Sequence, residues 1–82
     1  MAMLPKEIWT QAPLVDVEGD GFMRVENYQT ILEFSETKLR LQMKGMIYEI
    51  IGEHLLIRGV TKREIFIEGQ IRALQMKREE NL

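Results

Sequence analysis

Cysteine is missing from this 82-residue chain, which removes disulfides and thiolate metal sites together. Histidine and serine occur once each, as His54 and Ser35. Nucleophilic catalysis needs a nucleophile, a base and a group that orients the base, and nothing in the sequence ties Ser35 to His54. Proline occurs twice, at Pro5 and Pro13, both before the main body of the chain. No apolar run approaches the roughly 20 residues a membrane-spanning helix requires. The opening MAMLPKEIWTQAPL has neither the basic start nor the long apolar stretch of a secretory signal. The expectation is a cytoplasmic protein, attached to a membrane only through a partner. Strong charge of either sign is also lacking. The formal charge is −2 with both signs interspersed, so there is no electrostatic reason to expect a polyanionic ligand.

What is present is the composition of a folded protein, 45% hydrophobic and 29% charged. Its length implies one domain, and one of this size buries only about 60% of the surface its unfolded chain exposes. With disulfides and thiolate sites excluded, a partner chain is the expected source of further buried area, either as a homo-oligomer or through another protein.

From Leu14 onward the hydrophobic period is two. Leu39, Leu41 and Met43 alternate with Lys38, Arg40, Gln42 and Lys44, and Ile65 and Ile67 alternate with Glu64, Phe66 and Glu68. Five of the six glycines close such runs: VDVEG at Gly19, LQMKG at Gly45, YEIIG at Gly52, LLIRG at Gly59 and IFIEG at Gly69. Gly reaches positive φ without steric cost, so these positions read as strand-terminating turns or bulges. A phosphate cradle would instead gather several glycines in one loop that opens a helix. The fold predicted is all-β, a small sheet or barrel-like domain of about six to eight short antiparallel strands. Residues 1–13 form a preface with a short N-terminal helical turn from Pro5, 14–76 the β domain, and 77–82 a polar tail. A weak repeat aligns Glu36, Glu53 and Gly69 as strand starts, sixteen or seventeen residues apart.

No constellation points to catalysis or to a cofactor. Asp16-Val17-Glu18-Gly19-Asp20-Gly21 has the look of an acidic calcium loop, but the twelfth position from Asp16 is Asn27 rather than a bidentate Glu. It reads as a solvated turn. Carboxylates alternating with apolar residues mark a wet strand face, and so small a β domain leaves little room for a substrate cleft. The chain is expected not to be an enzyme. Lys38, Arg40 and Lys44 share a strand face, yet the aromatics that stack bases in a nucleic-acid sheet sit in apolar registers instead. The run Leu56-Ile57-Arg58-Gly59 resembles the second motif of Sm-like RNA-binding barrels, whose first motif has no counterpart here. An Sm-like or OB-like RNA-binding module is therefore the alternative, with a small homo-oligomerisation domain of unrelated role as another. Ile51, Leu56 and Phe66 take outward positions where a wet face would carry polar residues. With Trp9 they are the candidate interface.

The segment MRVENYQTILEFSE at 23–36, followed by L-R-L, L-I-R-G and I-F-I-E-G, resembles the YabP/YqfC family of sporulation proteins. The LPKEI preface is closer to the YqfC branch. The resemblance runs from about Leu4 to Met76. It singles out Glu26, Asn27, Tyr28, Glu33 and Ser35 as the family-like turn and strand, where Asn27 suits a tight hairpin. Tyr28 stands where the family phrase usually has His, and Thr30 where it usually has Gly. The resemblance implies a non-enzymatic factor of endospore-forming bacteria, acting in the mother cell with a membrane-associated sporulation partner.

Overall fold

The computed structural model describes residues 14–19 and 21–78. The predicted helical turn, Trp9, and the last four residues of the tail lie outside them. The described chain is all-β and antiparallel, with six strands: β1 (Leu14–Glu18), β2 (Phe22–Glu26), β3 (Thr30–Phe34), β4 (Lys38–Met43), β5 (Met46–Val60) and β6 (Glu64–Arg78). They form one sheet in the order β1-β2-β6-β5-β4-β3.

That order sets a geometric problem. Between β2 and β3 lie β6, β5 and β4, so a flat sheet would hold them four strand spacings apart, about 19 Å. The connection is only Asn27-Tyr28-Gln29, and from Glu26 to Thr30 the chain reaches about 14 Å at full stretch. The sheet must therefore roll until its two ends approach. The backbone confirms it. The Asn27 amide donates to the Arg63 carbonyl at 2.6 Å, just before β6, and the Gln29 amide donates to the Gln42 carbonyl on β4 at 2.8 Å. Asn27 sits in the left-handed region (φ 64°), a conformation that Asn tolerates. It serves a crossover corner between sheet ends rather than the tight hairpin expected of it.

Rolling places the inward residues of both halves in one core. Met23 and Val25 of β2, Leu39, Leu41 and Met43 of β4, Tyr48, Ile50 and Leu55 of β5, and Ile65 and Ile67 of β6 are buried together. Burial of each large side chain contributes about 1.5–3 kcal/mol. β1 and β3, the edge strands, add only half-buried Val15 and Ile31.

The short-strand expectation fails for β5 and β6, which run 15 residues each. Gly19 and Gly45 do lie in turns, but Gly52, Gly59 and Gly69 lie inside the two long strands. The reason is close backbone approach. Pairing shifts register at Ile51/Gly52, Glu53/Leu56 and Ile57/Gly59, and there the hairpin bends. A Cβ on Gly52 would overlap the Gln70 carbonyl oxygen, and one on Gly69 (φ 140°) would lie 2.7 Å from the His54 carbonyl oxygen. His54 takes the bulge position with φ 55°, and Leu55 beside it turns into the core. Neighbouring turns satisfy the amides freed at the bend. Gly52 and Leu55 donate to Thr37 and Glu36 carbonyls at 3.0 and 2.8 Å, and Gly69 donates to Gly21 at 3.1 Å. Glu36, Glu53 and Gly69, aligned by the repeat, thus meet at the bend instead of opening strands.

Gly52→Ala is expected to cost about 3 kcal/mol or more, because the Gln70 backbone carbonyl, which cannot swing aside, lies in the way of the added methyl. Gly45→Ala, at positive φ (74°) but with nothing within 4 Å, should cost about 1 kcal/mol. Thermal unfolding of the two variants checks the contrast; similar losses would count against the bend as the tight point.

Candidate functional site

The outward face carries charge at both ends of the bent sheet and an apolar strip on one limb. On the β1–β2–β6 limb, Arg24 is surrounded by carboxylates: Asp16 at 3.7 Å, Glu26 at 3.6 Å and Glu64 at 3.7 Å. The pairing register produces this, since Asp16 lies opposite Arg24, and Glu26 opposite Glu64. On the other limb Glu49 is the buried charged residue, 4% exposed, with Arg40 Nε at 3.1 Å and Lys77 Nζ at 3.5 Å. The Arg40 Nε–H points off the line of a hydrogen bond, so charge rather than directed bonding holds the pair. Glu33 approaches the other side of Arg40 at 3.7 Å.

These arrangements neutralise charge. Ser35 Oγ accepts from the Thr37 and Lys38 amides at 3.3 and 3.1 Å and so caps the β3–β4 turn. His54 is exposed, its Nδ1 3.9 Å from Glu36. Among the described residues no three His, Asp or Glu side chains converge as metal ligands. Asp16 and Glu18 of the acidic run stand on a strand rather than around a loop. Of the basic residues, Arg40 is held by Glu33 and Glu49, and Arg58 by Glu68 at 3.3 Å.

The family-like residues gather around the corner and the turn after it. Glu26 ends β2 beside Arg24, Asn27 makes the corner, and Glu33 and Ser35 act as just described. Tyr28 packs against the core, and its hydroxyl donates to the Thr61 carbonyl at 3.0 Å, spanning from the corner to the β5–β6 turn. A tyrosine here ties the corner down through an uncharged hydroxyl. Thr30 opens β3 and is not among the non-glycine residues at positive φ.

The candidate interface residues separate. Leu56 (48% exposed) and half-buried Phe66 share the outward face of one limb. Phe66 lies across Gly59 and beside Phe22, ring centroids 6.3 Å apart and tilted 37°. Phe22 and Leu56 flank Glu68 from either side. Ile51 is half-buried on the far side of the bend, opposite Lys38 and Ala73. Sequence reasoning missed Phe22; its place two residues before Arg24 on an alternating strand was the available signal.

Residues 11–82 match the YabP family. This chain belongs to it. The chain is also 29% identical over 68 residues to a Bacillus subtilis protein named "Uncharacterized protein YqfC", covering 83% of this chain and 73% of the relative. No solved structure gives a significant match. Among the described residues no helix is long and apolar enough to cross a membrane.

Arg40→Met would leave the Glu49 carboxylate buried beside Lys77 alone and should destabilise by about 2 kcal/mol. Arg58→Met, which breaks a pair between exposed side chains, should cost under about 0.5 kcal/mol. Adding Glu49→Leu to Arg40→Met should recover most of the loss in chemical denaturation. Tyr28→Phe, which deletes one hydrogen bond, is expected to cost about 1 kcal/mol by the same measurement.

Proposed function

We propose that this chain is a non-enzymatic sporulation protein of endospore-forming bacteria, working in the mother-cell cytoplasm by binding another protein. Family membership supports the sporulation role. Ser35 caps a turn and His54 occupies a bulge beside Glu36, structural places that fit a binding role. The observation that carries the interaction reading is the strip formed by Phe22, Phe66 and Leu56, which stays partly exposed on an otherwise charge-balanced face. Aromatic and aliphatic side chains ringed by ion pairs are the usual make-up of a protein-contact patch. The partner such a strip fits is a sporulation protein, membrane-associated, reached from the cytoplasmic side.

Leu56→Asp tests this reading. Half of Leu56 already meets solvent, so the variant should keep its thermal midpoint within a few degrees. Capture of partners from sporulating mother-cell lysate should fall at least tenfold. Unchanged capture by a folded variant would remove the strip from the interface.

A further inference from the structure

β6 is fifteen residues long, but β2 pairs with it only over Glu64–Glu68. From Gln70 to Arg78 that edge of β6 has no strand beside it among the described residues, while the opposite edge stays paired with β5 out to Met46. Beyond Ile71, which packs against the core, the inward-facing apolar side chains of this stretch are also uncovered. Leu74, opposite Ile50, is 37% exposed, and Met76, opposite Tyr48, is 60% exposed. A strand laid along this edge would pair its backbone and cover both side chains at once.

We infer that this edge takes β1 of a second copy, joining molecules head to tail. Charge selects the occupant. The β6 stretch carries Arg72, Lys77 and Arg78 and no carboxylate of its own. Glu53 lies 3.2 Å from Arg72 and Glu49 3.5 Å from Lys77, but pairing the stretch with its own copy would still crowd a second set of cations against the first. The donating strand is acidic: β1 carries Asp16 and Glu18 and no cation, and beside it Asp16, Glu26 and Glu64 surround Arg24. β1 pairs with β2 alone, and its outer edge is open among the described residues. The alternation also matches. Val15 and Val17 share the core side of β1, with Val17 46% exposed, and Asp16 and Glu18 share the outer side. An antiparallel β1 set in phase would continue the apolar side onto Leu74 and Met76, and its carboxylates onto the side that bears Lys77. The two edges differ, so the contact is heterologous and propagates into a ring or a chain.

This inference rests on the protein-contact reading above but uses a different surface, and its readout is self-association rather than partner capture, so the two fail separately. The test is sedimentation velocity of the full chain from about 1 to 100 μM. The mass should rise past the dimer with concentration and fall at high salt. Met76→Glu/Arg78→Glu on the accepting edge, and Val17→Lys/Glu18→Lys on the donating edge, should each sediment as monomers at 100 μM. Mixed one to one, the two variants share a single intact edge pair and should give dimers and nothing larger. Circular dichroism establishes that each is folded; should one not be, Glu18→Lys or Arg78→Glu alone takes its place. A wild-type monomer at every concentration overturns the inference, and with protected Gln70–Arg78 amides it would mean the chain covers its own edge. A closed dimer indifferent to both variants, or no dimer on mixing, overturns it equally.

Discussion

Two backbones cross within van der Waals reach where Gly52 meets Gln70 and Gly69 meets His54, and the rest of the molecule depends on that contact. With side chains at those positions the β5–β6 hairpin would stay straight, its fifteen-residue strands carrying a single open sheet with one face to cover and nothing to cover it. The bend turns the halves toward each other, so residues three strand spacings apart in the sheet order, Met23 and Leu41 among them, share one core. A chain without disulfides gains its interior by folding a sheet onto itself.

The bend also decides where charge and grease end up. Because the inner faces of both limbs are consumed by the core, polar groups crowd the outer face, where Arg24 and Glu49 each organise a small ion network. Among the described residues, apolar surface remains outside at the Phe22–Phe66–Leu56 strip and on the edge strands and strand ends, Leu32, Phe34 and Val60 included. Surface of that kind suits recognition by another protein. In a domain this small, contact made there also adds to a modest intrinsic stability.

Much of this was legible in the sequence. Period-two runs at 38–43 and 64–68 gave the strands, their inward residues and the all-β class, because alternation reports a half-buried sheet directly. The glycine phrases marked the right places for irregularity, yet a glycine that ends a strand and one that lets a strand bend have the same local signature. What distinguishes Gly52 from Gly45 is a carbonyl eighteen residues away, at Gln70, which no local pattern records. Asn27 reads as a hairpin residue because its side chain can bond nearby backbone and it tolerates the left-handed region, but whether the chain then doubles back or crosses to another strand depends on the sheet order. The outward residues fared similarly: Leu56 and Phe66 fall on one limb, whereas Ile51, in the same alternation, is carried past the bulges to the other.

The three-residue corner has a consequence for assembly. β2 lies against β6, its paired residues Val25 and Ile65 forty positions apart, while every other pairing joins consecutive strands. Local hairpins form readily, but this closure must overcome the loop entropy of everything between. During synthesis the β1–β2 hairpin emerges long before the strand it will dock on exists. Until then its valines and methionine face water, and the newborn chain depends on prompt arrival of its C-terminal third to hide them.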